Sequence, residues 1–152
     1  MDSNPTSPVE YAGFWLRFWA SVIDTVLVLA LTTPLLYAIY GAAYFETTEA
    51  ASARPAEVLI TWIAPAVACI WFWLSKQATP GKMALSMKVV DADTLGPLSV
   101  SQSVGRYGGY FLSLFGLGLG FLWVAFDARK QGWHDKVAGT VVVRTRARPP
   151  TP

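Results

Sequence analysis

Residues 18–45 read FWASVIDTVLVLALTTPLLYAIYGAAYF, a stretch in which Asp24 is the one charged position. A helix crossing a hydrocarbon core needs about 20 apolar residues, so this segment is read as a first transmembrane helix. A cleaved leader would have a basic start and an apolar run of only ~7–15 residues. Here the first ten residues hold Asp2 and Glu10 and no Lys or Arg, so the span is expected to stay in the mature protein.

Two further apolar segments follow. Val58 to Ser75 is uncharged and ends in Trp71-Phe72-Trp73, which suits an interfacial aromatic belt, and Pro65 is expected to kink it midway. Tyr107 to Phe126 is also uncharged, but the run Gly116-Leu117-Gly118-Leu119-Gly120 weakens any continuous helix. Loop charges set the topology. Residues 41–56 carry one basic residue, Arg54, beside Glu46 and Glu49, whereas residues 75–103 carry Lys76, Lys82 and Lys88. Six more follow from Asp127 onward: Arg129, Lys130, Lys136, Arg144, Arg146 and Arg148. By the positive-inside rule the first loop is external and both flanks of the third segment are cytoplasmic. A re-entrant hairpin, two half-helices joined at Gly116 to Gly120, satisfies that rule; a third full span is the alternative. A re-entrant turn requires burial in protein or a wet cavity.

The polar parts read as folded. Met83, Leu85, Met87 and Val89 alternate with polar or small residues at the period of a half-buried strand, and Asp91 to Pro97 is turn chemistry. Ser99 and Gln102 have capping-box spacing before the third segment, and Thr140 to Val143 offers a second strand. The two strands are expected to meet under the membrane. The fold class is therefore an all-α integral membrane protein with two transmembrane helices, a Gly-broken third segment and a small cytoplasmic β element. Residues 1–10 are read as a disordered N-terminus, 11–144 as the membrane domain and 145–152 as a disordered tail.

Composition supports this and excludes much else. Of the 152 residues 53% are apolar and 14% charged, against about 25% charged in soluble proteins. One cysteine, Cys69, and one histidine, His134, leave no intrachain disulfide and no Cys- or His-rich metal cluster. A net charge of +2 gives no nucleic-acid footprint.

Asp24 is the most informative residue, because a carboxylate near a helix centre costs about 2.5–3.5 kcal/mol on insertion scales. An ion pair that fixes packing, a proton or cation site, or lipid-headgroup binding would each account for it. Arg17 lies two turns earlier on the same face, and its side chain is expected to snorkel back to the cytoplasmic interface. Arg106, at the mouth of the third segment, is the expected partner of Asp24.

Phe14 to Asp24, Thr79-Pro80-Gly81-Lys82, Lys88 to Asp91, Arg106 and above all Gln131-Gly132-Trp133-His134-Asp135-Lys136-Val137-Ala138-Gly139-Thr140 resemble the RDD family of bacterial membrane proteins, named for one Arg and two Asp. The resemblance runs from Tyr11 to Arg144. It maps the Arg onto Arg17, the first Asp onto Asp24 and the second onto Asp135, with Asp127 the competing choice. What it implies for function is thin: the family is widely regarded as of unknown function, with transport suggested and some relatives proposed as sodium/proton antiporters, in the bacterial inner (plasma) membrane. The loop charges, with the re-entrant reading, place both termini of this multi-pass chain in the cytoplasm.

Other motifs read blandly. Gly81-Lys82 is no phosphate loop, because Met83 replaces the Ser or Thr and Lys76 stands where the first Gly belongs. Asp91-x-Asp93-x-x-Gly96 fails as a calcium loop at Leu95 and Gln102 and reads as a solvated turn. His134-Asp135 resembles half of a catalytic triad, but no Ser or Cys in a nucleophile context accompanies it, and the two read as a local hydrogen-bonding pair. Gly105-x-x-x-Gly109 and Gly116-x-x-x-Gly120 permit close helix approach.

The function expected is ion or small-solute transport, proton or cation coupled, or an accessory role in it. Asp24 would be the protonatable or cation-binding carboxylate in a charge network with Arg17, Arg106, Asp135 and Asp127. The alternative is a non-transporting scaffold or regulator whose buried charges are structural. No enzymatic activity, cofactor or metal is expected. The expected partners are the lipid bilayer and either further copies of the chain or another membrane protein, with no nucleic acid.

Overall fold

The structure, a computed structural model, describes residues 9–46 and 54–145. Residues 1–8, 47–53 and 146–152 lie outside these, and so do Glu49, Arg146, Arg148 and most of the two terminal stretches read as disordered.

Helix α1 runs Phe14–Tyr40 and helix α2 Pro55–Lys76, each long and apolar enough to cross a membrane. Almost none of the most apolar stretch of either helix is buried inside the protein. Leu31 is 74% exposed and Val26 59%. Apolar surface on that scale needs a hydrocarbon solvent. A helical turn, Ala43–Glu46, follows α1 after Gly41. The irregularity expected at Pro65 takes the form of a π-helical turn, Leu59–Ile63, in which the Ala64 N–H donates to the Leu59 carbonyl. Proline has no N–H to offer the preceding turn, and a wider turn absorbs the lost rung while the helix continues.

The third segment is broken where its glycines stand. Helix α4, Val100–Phe115, and the short α5, Leu119–Leu122, which continues as a 3-10 turn through Trp123–Ala125, are bent by 112° from one another. The arms are unequal rather than matched halves. Helix α4 begins well before Tyr107 because Ser99 and Gln102 form the expected capping box, the Ser99 side chain accepting from the Gln102 N–H.

The remaining elements make a polar cap at the end of the spans that carries Phe14 and Lys76. Strand β1, Met87–Asp91, pairs antiparallel with β2, Thr140–Arg144, in the register Val89 opposite Val142. Tyr11 bridges to Val143, and Glu10 pairs with Arg144 at 2.7 Å, so the start of α1 is tied to the same sheet. The expected meeting of the two strands is thus observed, but the strand read over Met83 to Val89 starts too early. Met83 lies in helix α3, Pro80–Ala84, and Leu85 follows it in a turn. Pro80 at the first helical position, with Thr79 extended before it, starts a helix where the period of two alone suggested a strand. Ala12, Ala20, Trp73, Met87, Val89, Leu98 and Val142 form the main core beneath the sheet. The last helix, α6, Trp133–Ala138, packs on α4.

Candidate functional site

Two clusters of charge lie where α1 enters the cap. In the first, Asp135 of α6 is wholly buried and accepts from three donors. They are Arg17 Nη1 of α1 at 2.5 Å, Arg106 Nη1 of α4, and the Gly132 N–H at 2.9 Å. Arg106 also donates to Thr140 Oγ1 at 2.6 Å and sits 5.2 Å above the Trp73 ring of α2. One carboxylate therefore joins α1, α4, α6 and, through Arg106, α2 and β2. Burial pushes the Asp135 carboxyl up, but the guanidiniums of Arg106 and Arg17 outweigh it and hold it well below the usual carboxylate range.

This corrects the expected pairing. Arg106 bonds Asp135, and among the described residues neither arginine bonds Asp24. Packing decides it: α6 lies directly on α4 and brings Asp135 to Arg106, whereas both oxygens of Asp24 are taken by Thr79 and Gly81. Arg17 does turn back towards the cap, as the helical side-chain direction requires. Asp127 stands apart. It pairs with Lys136 at 2.5 Å and accepts from the N–H groups of Arg129 and Gln131, each at 3.1 Å. Burial pushes its carboxyl up, and these donors, led by Lys136, hold it below its ordinary range. Asp135, not Asp127, is the carboxylate that meets Arg17.

The second cluster surrounds Asp24. Its Oδ2 accepts from Thr79 Oγ1 at 2.6 Å and its Oδ1 from the Gly81 N–H at 2.7 Å. Asp24 thus caps α3 from another helix, using both oxygens. A Cβ at Gly81 would collide with the Ala20 carbonyl and come within 2.9 Å of Asp24 Cγ, so only glycine lets α3 approach this closely. Lys82 is 6% exposed, and its Nζ reaches Thr79 Oγ1 at 3.4 Å. Burial, reinforced by Arg106, pulls its ammonium down to about 8, against the pull of Asp24.

A cavity of about 580 Å³ opens between α1 and α2 and brings the clusters together. Arg17, Asp24, Thr79, Lys82, Arg106 and His134 line its polar end, and Phe18, Val28, Leu31, Pro65 and Phe72 line much of the rest. Arg17 is 9% exposed, and its Nε and Nη2, together with Nε of Arg106, have no hydrogen-bond partner among the described residues. Three cations, Arg17, Lys82 and Arg106, face two carboxylates, Asp24 and Asp135, which leaves an excess of positive charge.

His134 is buried between the Tyr110 and Phe121 rings, with centroids 4.6 and 5.2 Å away. Ser113 Oγ lies 3.3 Å from its Nδ1 and Asp135 Oδ2 3.6 Å from its Nε2. A serine does meet the His-Asp pair in space, which spacing along the chain does not reveal. Ser113 and Asp135 are fully buried and Asp135 is held by both arginines, so the trio presents no accessible nucleophile. Gly109 makes this packing feasible, since a Cβ there would come within 2.7 Å of His134 Cα. Thr79 and Lys82, which enter the sequence-based expectations through the family resemblance and the loop charges but not the charge network, belong to the site. The Thr79-Pro80-Gly81-Lys82 run was the available signal.

A family model described as the RDD family matches residues 11–139. The chain is 30% identical over 141 residues to the uncharacterized membrane protein YteJ of Bacillus subtilis, covering 90% of this chain and 82% of that protein. It is 31% identical over 149 residues to the uncharacterized protein YxaI of the same organism, covering 87% and 96%. It is 40% identical over 76 residues to the uncharacterized protein RP437 of Rickettsia prowazekii, a match that takes in 50% of this chain and 42% of that protein. No solved structure matches the chain.

Proposed function

This chain belongs to the RDD family of membrane proteins, and from that premise and its cavity we propose that it binds a small solute or ion between its two spans and serves its transport. The observation that carries the reading is the cavity itself, with buried charge at one end and apolar walls running into the membrane-facing helices. Enclosed polar groups at membrane depth are costly, and a solute pathway gives them a use. Two spans and a bent third segment enclose no pathway alone, so the transporting unit in this reading is a homo-oligomer or a complex with another membrane protein.

In this reading the bent α4–α5 pair is a re-entrant hairpin, its 112° turn returning the chain to the cap side. The cap, with Lys76, Lys82, Lys88 and Lys136, faces the cytoplasm of a bacterial plasma membrane, and both termini share that side. Both Asp24 oxygens serve α3, so Asp24 acts by positioning Lys82 rather than as an open cation ligand. A scaffold role is favoured by one observation, the saturation of Asp135 by donors from α1, α4 and the Gly132 backbone. Purified protein in proteoliposomes, tested for flux over a panel of cations, anions and small solutes, separates the two. Flux above empty liposomes that is lost in Lys82→Met supports transport, and a flat panel supports the scaffold.

A further inference from the structure

We propose that the polar end of the cavity binds a phosphate-type oxyanion, the headgroup of an anionic phospholipid, between Arg17 and Lys82. The proposal rests on reading the cavity as a binding site, not on transport.

Four observations converge. Arg17 is nine-tenths buried and lines the cavity, yet its Nε and Nη2 are without partners among the described residues, while Nη1 alone is spent on Asp135. Two unspent N–H groups on one guanidinium form the planar fork that matches a phosphate or carboxylate edge. Lys82, equally buried, offers its ammonium to the same cavity, with a 3.4 Å contact to Thr79 Oγ1. The Arg17, Arg106 and Lys82 cations outnumber Asp24 and Asp135, so a bound anion relieves a charge excess that an apolar or cationic ligand would leave or worsen. Away from that end Phe18, Val28, Leu31, Pro65 and Phe72 supply apolar walls. Leu31, at 74% exposure, stands at the membrane-facing surface, so an acyl chain would have a continuous path from lipid to site. Charge at one end and hydrocarbon walls along the rest suit an amphiphile better than a free ion.

The test is a titration of the full chain in neutral detergent with short-chain phosphatidylglycerol, short-chain phosphatidylcholine and inorganic phosphate, read by calorimetry. Phosphatidylglycerol is expected to bind at least about tenfold more tightly than phosphatidylcholine, with inorganic phosphate competing weakly. Lys82→Met should weaken phosphatidylglycerol binding by about tenfold or more. Arg17→Lys keeps the charge for Asp135 but loses the fork, and should do the same where Arg17→Gln fails to fold. Equal binding of the two lipids, or unchanged phosphatidylglycerol affinity in a folded Lys82→Met, overturns the proposal. Phosphate binding as tightly as phosphatidylglycerol overturns the lipid assignment. Lipid binding without any flux in proteoliposomes would sink the transport reading and leave this one standing; flux with indifference to anionic lipid would do the reverse.

Discussion

Arg17 and Asp135 stand 118 residues apart in the chain and meet at 2.5 Å, the guanidinium at the start of the first membrane helix and the carboxylate wholly buried in the cap. Arg106 closes on the other oxygen of the same carboxylate. The pair ties the beginning of the chain to its end, and Arg17, whose Nε and Nη2 have no partner among the described residues, also lines the cavity. Fold and candidate site thus depend on one carboxylate.

Removing that carboxylate should be costly, because it leaves two buried guanidiniums uncompensated. Asp135→Asn is expected to lose about 3–5 kcal/mol and to lower the melting temperature in detergent sharply. In double-mutant cycles Arg106→Ala should couple strongly with Asp135→Ala and add simply with Asp24→Ala. Coupling of Arg106 to Asp24 instead would mean that the arginine has the wrong partner here.

Asp24 is assigned to the positioning of α3. Asp24→Leu removes the acceptor of both Thr79 and Gly81 and should cost about 1–3 kcal/mol, with Asp24→Asn, which keeps one carbonyl acceptor, costing less. Gly81→Ala should be at least as damaging as Asp24→Leu because of its clash with the Ala20 carbonyl. Thermal melts in detergent rank the three variants, and a neutral Gly81→Ala contradicts the close approach of α3 to α1.

Lys82 makes oxyanion binding sensitive to pH. It is faced by Asp24 and Arg17 from α1, Cys69 from α2 and Arg106 from α4, and burial brings it to about 8 from 10.5. Its charge is therefore present below about pH 8 and lost above, so affinity for phosphatidylglycerol should fall as pH rises through that value. Lys82→Arg should bind with no such step. The stability effect has the opposite sign: between about 8 and 10.5 the unfolded chain holds a proton that the folded one has shed, so stability should rise across that window. An affinity flat from pH 7 to pH 9, checked by calorimetry, would remove Lys82 from the site.

His134 is pushed down to about 3 by burial, from 6.5, against the pull of Asp135. An unfolded chain takes up that proton first, so stability should fall as pH drops below 6.5, before any carboxylate titrates near 3.8. His134→Gln should flatten this part of the profile. Melting temperatures of the two proteins, compared across the same window, check it.

Topology is testable independently. With Cys69→Ser as background, single cysteines at the exposed Lys88 and at Arg148 should be protected from an impermeant reagent in intact cells, and one at Glu46 should be labelled. Labelling at Arg148 with protection at Lys88 would restore a third full span.

The two long apolar helices were legible because length and hydropathy are local properties, and the Gly116 to Gly120 break was legible because glycine weakens a helix wherever it stands. The capping box at Ser99 and the meeting of the strands followed from local chemistry as well. Helix α3 was misread because Met83 and Leu85 fit a period of two, while Asp24, the residue that caps α3, lies far off in sequence. The partner of Arg106 differs from the expected one for the same reason: α4 meets α6 at Gly109, and the Gly105-x-x-x-Gly109 spacing signals a close approach without saying which helix makes it. Ser113 beside His134 was likewise invisible, being brought there by that same packing.

The measurement that bears most directly on the anion site is photo-crosslinking of the protein in a bilayer containing a phosphatidylglycerol with a photoreactive group next to its phosphate, mapped by mass spectrometry. The account predicts adducts concentrated on residues around Arg17, Ser21, Thr79 and Lys82 at the polar end of the cavity, lost in Lys82→Met and suppressed by unlabelled phosphatidylglycerol but not by phosphatidylcholine. Adducts spread evenly over the outward faces of α1 and α2, at Trp15 and Leu29 as often as at Ser21, and unaffected by Lys82→Met, would contradict it.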